Sequence, residues 1–122
     1  MKQMVAESVE LVVMAYTAAW NESDDATRRR LIELSWCENG VYSDPAARVV
    51  GRQALGEHIH AFGMRYPGAR LELTSPVSAH HEHLHFTWRT VDSEGCTLRE
   101  GRDIGQLGSD GRLISVVGFF GL

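Results

Sequence analysis

The stretch Leu84-His85-Phe86-Thr87-Trp88 alternates apolar with polar side chains. A period of two is typical of a half-buried strand, because successive side chains of a strand point to opposite faces of its sheet. The same alternation occurs upstream at Leu71, Leu73 and Val77, so these residues predict a preceding strand. We expect His80–His83 to form the connection between the two strands.

Two more strands are predicted downstream, over residues 96–107 and Leu113–Phe120. Asp92–Gly95 provides the turn before the first of them. Ser109-Asp110-Gly111 separates the pair and favours a hairpin, because Asp-Gly tolerates positive φ. Short turns between successive strands indicate an antiparallel meander in the C-terminal half of the chain.

The N-terminal half has the spacing of helices instead of strands. Apolar side chains from Val5 onward recur every three or four positions and predict an amphipathic first helix. Tyr16 and Trp20 lie one turn apart on this helix and share a face. Asn21–Asp24 ends the first helix and caps a second one, because Ser and Asp side chains accept hydrogen bonds from free N-terminal amides.

The second helix is expected to carry Leu31, Leu34 and Trp36. We predict that it ends at Asn39-Gly40, because glycine adopts the left-handed conformation that closes helices. Val41–Ser43 then forms a short strand.

Asp44 opens a loop at the end of this strand, because Pro45 disfavours a helical conformation at the residue before it. A third helix is predicted from Arg52, and Pro67-Gly68 ends it. Its apolar stripe consists of Leu55, Ile59 and Phe62, with Tyr66 as a further candidate.

The length of 122 residues fits one domain, which we predict to span residues 1–122. The order of elements predicts an α+β fold, with three N-terminal helices packed on a strongly curved antiparallel or mixed sheet. The net charge is −4, and basic residues are concentrated only at Arg28–Arg30, which follow two aspartates, so nucleic acid and anionic membranes are not expected partners. Acidic residues interrupt the N-terminal apolar stretch, which argues against a signal peptide. We therefore expect a cytoplasmic protein in which Cys37 and Cys96 are free thiols.

Three segments carry a resemblance to a known superfamily. They are Ala15-Tyr16 to Trp20-Asn21, Asn39–Pro45, and the closing run from Gly101 through Asp110–Leu113 to Gly118–Phe120. In this order they resemble the nuclear transport factor 2-like or SnoaL-like superfamily over nearly the whole chain. The resemblance implies the cone-shaped α+β fold of ketosteroid isomerases and polyketide cyclases, and a homodimer, since members are often dimers.

Three functional positions of the ketosteroid isomerases match Tyr16, Asp44 and Asp103 of this chain. The resemblance implies that Asp44 moves a proton between carbon atoms, while Tyr16 and a protonated Asp103 stabilise the dienolate oxygen. Two supporting tyrosines of those enzymes correspond to Trp36 and Ile59, which lack phenolic hydroxyls. Tryptophans at 20 and 88 favour a ligand smaller or flatter than a sterol.

The residues around the two carboxylates have alternative explanations. Gly101 and Gly105 flank Asp103 on its face of the strand, so they either leave space for a ligand at the carboxyl or permit sheet curvature beside a solvent-exposed acid. Asp44 either has a functional carboxylate or only forms a common Asp-Pro turn with its carboxylate in solvent. Tyr16 and Trp20 are either ligand contacts or core residues.

The predicted function is binding of a small apolar or aromatic metabolite, with cofactor-independent acid–base chemistry as an isomerase, cyclase or dehydratase. Tyr16, Asp44 and Asp103 are the candidate catalytic residues. The expected ligand-binding residues are Trp20, Trp36, Ile59, Phe62, Phe86, Trp88, Val116, Gly118 and Phe120. No metal or cofactor is expected, since phosphate-loop, nucleophile-elbow and HExxH motifs do not occur.

His81, His83 and His85 would project from one face of a strand and could chelate zinc. Because the opposite, apolar face is expected to point inward, a surface or subunit contact is the favoured interpretation. The alternative function is a non-catalytic ligand-binding or dimerisation module.

Such a module would dimerise through the outer sheet face, where these histidines lie with Leu98, Ile104 and Val117. A resemblance to limonene epoxide hydrolase relatives would imply epoxide hydrolysis as a third possibility. Those enzymes use an Asp-Arg-Asp arrangement, and Arg102 is expected to face away from Asp103.

Overall fold

The computed structural model describes the backbone of residues 2–121 and the side chains of residues 8–121. Side-chain predictions for Val5 lie outside the described residues. The chain forms a mixed α+β structure with three helices on a curved sheet. The helices are α1 (Lys2–Trp20), α2 (Asp25–Ser35) and α3 (Arg52–Arg65). The strands are β1 (Trp36–Asp44), β2 (Ala47–Val50), β3 (Arg70–Leu73), β4 (Ser78–His80), β5 (His83–Val91), β6 (Thr97–Leu107) and β7 (Leu113–Phe120).

The predicted cap of the second helix is confirmed. Oδ2 of Asp24 accepts hydrogen bonds from the Thr27 amide at 2.9 Å and from the Thr27 hydroxyl at 2.7 Å. These bonds satisfy a helix N-terminal amide that has no partner within the helix. The third helix begins at Arg52 as predicted, and its backbone leaves the helical conformation at Tyr66, before the proline.

The predicted end of the second helix at Asn39-Gly40 is wrong, because α2 ends at Ser35 and residues 36–44 form β1. Trp36 is fully buried as the first residue of this strand, whereas Leu34 is 62% exposed. Gly40 does not end a helix; it lets the Trp36 ring pack against β1. A Cβ atom at this position would lie 2.5 Å from Nε1 of Trp36, so only glycine lets the indole ring fit against the strand.

The sheet has the strand order β2-β1-β7-β6-β5-β3, and β4 pairs with β5. All pairs are antiparallel except β1 with β7, so the sheet is mixed. Strands β5, β6 and β7 have nearly the predicted bounds, and the β6–β7 turn contains Gly111 at φ 82°. Strands β2 and β4 were not predicted from the sequence. Val77 was predicted to belong to a strand, but it lies between β3 and β4.

The core lies between the helices and the inner face of the sheet. It joins Tyr16 of α1, Ile32 of α2 and Leu55 of α3 to side chains of β1, β5 and β7. Cys37 and Cys96 are free, as expected. Across residues 2–121, no helix combines the length and apolar character needed to cross a membrane.

Candidate functional site

A cavity of about 500 Å³ is bounded by α1, α3 and the inner face of the sheet. Helix α1 places Tyr16 and Trp20 at its wall because the two side chains are one helical turn apart. Strand β6 contributes Asp103, and Asp44 lies at the end of β1. The predicted site residues that line the cavity are Tyr16, Trp20, Asp44, Phe62, Trp88, Asp103 and Phe120.

The other predicted ligand contacts lie outside the lining of this cavity. Ile59, Phe86 and Val116 are buried core residues with exposures of 2%, 0% and 0%. Trp36 stacks on the Tyr16 ring with centroids 5.6 Å apart and an interplanar angle of 14°. Trp36 thus supports a cavity residue from behind. Gly118 also lies outside the lining, next to the side chains of Asp44 and Asp103.

The Asp44 carboxyl is surrounded by hydrogen-bond donors. Its Oδ1 accepts from the amides of Ala46 at 2.8 Å and Ala47 at 2.9 Å, and its Oδ2 accepts from the Tyr42 hydroxyl at 2.6 Å. The two hydrogen bonds from the backbone amides stabilise the turn that joins β1 to β2. Because an ionised carboxylate is an acceptor only, these three donors suit the charged form of Asp44.

The Asp103 carboxyl has a contrasting environment. It is 5% exposed, and its Oδ1 accepts a hydrogen bond of 2.9 Å from the indole N–H of Trp88. Burial raises the pKa of Asp103 to about 7, with a further increase from the nearby Asp44 charge and an opposing decrease from the Trp88 hydrogen bond. Near neutral pH, Asp103 therefore exchanges between its neutral and its charged form.

Gly118 of β7 lies next to both acids. A Cβ atom at this position would be 3.0 Å from Oδ1 of Asp103 and 3.5 Å from Cβ of Asp44. Asp103 is the direct register partner of Gly118, while Asp44 follows the segment of β1 that pairs with β7. The missing side chain thus leaves room beside β7 for the Asp103 carboxyl and for the Cβ of Asp44, whose strands flank β7 on its two sides.

The prediction that Gly101 and Gly105 leave open space beside Asp103 is wrong. A Cβ at Gly101 would collide with the Trp88 ring, and a Cβ at Gly105 would lie 2.9 Å from Cδ1 of Leu84. Side chains of β5 therefore fill both positions. The alternative of a solvent-exposed Asp103 is also wrong, because the carboxyl is buried.

The Tyr16 hydroxyl is buried and has no hydrogen-bond partner among the described residues. Burial, reinforced by the charge of Asp103, raises the pKa of Tyr16 well above its usual value. Tyr16 therefore stays protonated and remains a donor. The indole N–H of Trp20 is likewise buried without a partner in the described part of the chain.

Several residues that line the cavity were not predicted from the sequence. Tyr42 is two residues before Asp44 on one strand face, so the period of two could have identified it. His58 precedes Phe62 by one helical turn, and its ring centroid lies 5.8 Å from Trp20 and 5.3 Å from Tyr42. Arg65 and Arg99 also line the cavity, and no spacing rule connects them because they come from a helix and a strand.

The three candidate zinc ligands do not share one strand face. His81 lies in the turn before β5 with φ 49°, and only His83 and His85 belong to the strand. The Nδ1 atom of His83 lies 3.0 Å from the backbone oxygen of His81. Within residues 8–121, no group of three or more His, Cys, Asp or Glu side chains has an arrangement that could hold a metal ion.

Leu98 was assigned to the outer sheet face, but it lines the cavity. The register shifts between Thr90 and Val91, whose partners are Arg99 and Thr97, so Leu98 is an unpaired bulge residue. A bulge changes the direction of the extra side chain. Arg102 is exposed while Asp103 is buried, so the two face opposite sides of β6 as expected.

The structure is similar to those of several solved proteins. A candidate isomerase of the SnoaL-like family from Agrobacterium tumefaciens str. C58 is 33% identical, with a TM-score of 0.89 and coverage of 95% of this chain and 99% of that chain. The chain belongs to the SnoaL-like family. No protein-family model and no curated protein matches it.

Two more distant structures show the same fold as this SnoaL-like chain. An NTF2-like protein of unknown function from Exiguobacterium sp. 255-15 is 14% identical, with a TM-score of 0.72 and coverage of 90% and 98% of the two chains. A candidate SnoaL-like polyketide cyclase from Jannaschia sp. CCS1 is also 14% identical, with a TM-score of 0.72 and coverage of 93% and 84%.

Proposed function

We propose that this SnoaL-like protein is a cofactor-independent acid–base enzyme, an isomerase, cyclase or dehydratase, acting on a small apolar or aromatic molecule in the cavity. The observation that carries the proposal is the convergence of two carboxyl groups with different environments on one cavity. Asp44 has three hydrogen-bond donors, whereas Asp103 is desolvated. Such a pair can divide the roles of base and acid between its members.

In the proposed reaction, Asp44 accepts a proton from a carbon atom next to a carbonyl group. The electron pair of the broken C–H bond moves onto the carbonyl oxygen and forms an enolate. Neutral Asp103 and the Tyr16 hydroxyl donate hydrogen bonds to this oxygen, and donors held in a water-poor site stabilise such charge strongly. Asp44 then returns the proton to a carbon atom of the same molecule.

The wall of the cavity supports an aromatic or flat apolar ligand. The Trp20 ring packs edge-on against Phe62 with centroids 5.7 Å apart, and Trp88 packs edge-on against Phe120 at 6.3 Å. Rings held in this way offer flat surfaces on which a second ring can stack. The Agrobacterium relative is a candidate isomerase, which agrees with this class of reaction.

Deuterium exchange of 2-tetralone in D2O tests the proposal. This neutral two-ring ketone has acidic C–H groups beside its carbonyl, and NMR follows the loss of their proton signals. We expect the protein to accelerate exchange and Asp44→Asn to lower the rate by about 100-fold or more. Asp110→Asn, which changes an exposed carboxylate outside the cavity, should exchange like the wild type. Equal rates for the wild type and Asp44→Asn would contradict the proposal.

A second candidate role, homodimerisation through the outer sheet face, is favoured by exposed apolar side chains there. Ile104 and Val117 are direct register partners with exposures of 42% and 38%, and Phe119 on the next outward position of β7 is 44% exposed. Adjacent exposed apolar residues are typical of a contact surface. Sedimentation equilibrium should show a dimer that Val117→Lys dissociates and that Arg30→Gln, on α2, leaves intact. A wild type that remains monomeric at high concentration would contradict this role.

A further inference from the structure

We propose that the ligand of this cavity carries an anionic group, in its simplest form a carboxylate, which Arg65 and Arg99 bind at the mouth. The uncharged body of the ligand then extends toward Asp44 and Asp103. The inference deepens the proposed function, and it relies on that function only for the roles of the two acids. Its basis is a separation of charge along the cavity.

Arg99 marks one end of this separation. It lies on β6 four residues before Asp103, so their Cα atoms are about 13 Å apart at the usual rise of a strand. The Arg99 guanidinium lies 4.0 Å from the centroid of the Phe120 ring. Phe120 in turn packs edge-on against Trp88, the residue that holds Asp103. Two rings thus separate the cation from the acid.

Arg65 approaches the same cavity from the other side. It is the last residue of α3, its Nε donates a hydrogen bond of 3.1 Å to the Tyr66 hydroxyl, and its Cζ lies 5.5 Å from the Tyr66 ring centroid. A neutral hydroxyl and a ring orient the guanidinium without neutralising it. Its remaining N–H groups can donate to a ligand.

Neither arginine forms an ion pair with a described carboxylate, although the chain has four more acidic than basic residues. Three other arginines of the described structure form such pairs: Arg28 with Asp25, Arg89 with Glu72 and Arg112 with Asp110. Two unneutralised guanidinium groups on one cavity attract an anion, and each can bind a carboxylate through two parallel N–H donors.

The two acids on the wall of the same cavity exclude this anionic group from their own surroundings. Three hydrogen-bond donors favour the charged form of Asp44, and a fraction of Asp103 is ionised near neutral pH. A ligand carboxylate there would be repelled by like charge in a poorly hydrated site. The ligand is therefore oriented, with its anionic end at Arg65 and Arg99 and its reactive carbon atoms at the acids.

Binding of 2-naphthoate and its neutral analogue 2-naphthamide tests this inference by calorimetry. Both have the same two rings, and they differ in the charge of one substituent. We expect the wild type to bind 2-naphthoate about tenfold or more tightly than 2-naphthamide. Higher NaCl concentrations should weaken only the naphthoate complex. The double variant Arg65→Gln/Arg99→Gln should lose this preference while its affinity for 2-naphthamide stays unchanged.

Arg30→Gln is the matched control, because Arg30 is exposed on α2 and does not line the cavity. This variant should keep the full preference for 2-naphthoate. Equal affinities of the wild type for the two probes, a preference that survives in the double variant, or no binding of either probe would overturn the inference. Because binding is the readout, a protein that fails to exchange 2-tetralone protons can still show the preference, so the two proposals fail separately.

Discussion

The indole N–H of Trp88 donates a hydrogen bond of 2.9 Å to Oδ1 of Asp103, across the paired strands β5 and β6. Trp88 is the register partner of Gly101, and a side chain at Gly101 would collide with the Trp88 ring. Glycine at this position therefore lets the indole lie over β6 and reach the acid two residues further along. A tryptophan expected to contact a ligand also fixes the carboxyl group.

The buried Asp103 makes the stability of the protein depend on pH. Burial raises its pKa from 3.8 to about 7, so between these values the folded state binds more protons than the unfolded state. Stability from this group is thus fully present below pH 3.8 and is lost as the pH rises through about 7. The loss is on the order of 4 kcal/mol from the size of this shift.

Asp103→Asn removes this titration while keeping an oxygen acceptor for the Trp88 indole. We expect the variant to be more stable than the wild type at about pH 8, with a difference that shrinks toward zero at about pH 4. Urea unfolding at several pH values measures it. Asp110→Asn, whose wild-type pKa is lowered mainly by the Arg112 amide, should show no such gain at high pH. A constant difference between Asp103→Asn and wild type across the pH range would contradict the expectation.

The Tyr42 hydroxyl holds Asp44 through the hydrogen bond of 2.6 Å. Burial raises the pKa of Tyr42 above its usual value, so the hydroxyl stays a donor. Tyr42→Phe should lower the free energy of unfolding by roughly 1.5–3 kcal/mol, because a hydrogen bond to a charged acceptor is lost. Chemical denaturation measures the change.

Tyr66→Phe is the matched control for this variant. It removes a hydroxyl that accepts from Arg65 at an exposed position, and we expect a change within about 0.5 kcal/mol. If Tyr42→Phe behaved like Tyr66→Phe, the bond to Asp44 would not contribute to stability.

Gly118 leaves room for the Asp103 carboxyl, so Gly118→Ala should displace that carboxyl. The added Cβ would lie 3.0 Å from Oδ1, which forces the carboxyl to move by a few tenths of an ångström. We expect the Trp88 indole N–H resonance to shift and the protein to lose roughly 1–3 kcal/mol of stability. In the Asp103→Ala background the same substitution should cost much less, because Oδ1 is absent. Additive effects of the two substitutions would contradict a contact between them.

The strands of the C-terminal half could be predicted because each has one buried and one exposed face. Burial along β5 alternates from Leu84 through Phe86 to Trp88, which is the signal in the sequence. Strand β1 could not be predicted in full. Its Asn39-Gly40 resembles a helix end, and the requirement for glycine comes from the Trp36 ring, a contact that only the folded structure reveals.

The same limit applies to the site. Tyr16, Asp44 and Asp103 could be proposed because the family resemblance indicated them, and the structure shows them around one cavity. Arg65 and Arg99 are far apart in the sequence, and they lie on the same cavity because α3 and β6 both contribute to its wall. Local periodicity carries no information on such a pair.

Gly40 offers the most direct test of the packing in β1. In Gly40→Ala the new Cβ would lie 2.5 Å from Nε1 of the fully buried Trp36, so the ring or the strand must shift. Overpacking of this kind lowers the free energy of unfolding by about 1–3 kcal/mol. Gly63→Ala in α3 is the control, because its Cβ meets nothing within 4 Å and alanine favours a helix over glycine by about 1 kcal/mol. The midpoint temperature of thermal unfolding should therefore fall in Gly40→Ala and rise in Gly63→Ala. An unchanged midpoint in Gly40→Ala would show that the packing of Trp36 does not require glycine at position 40.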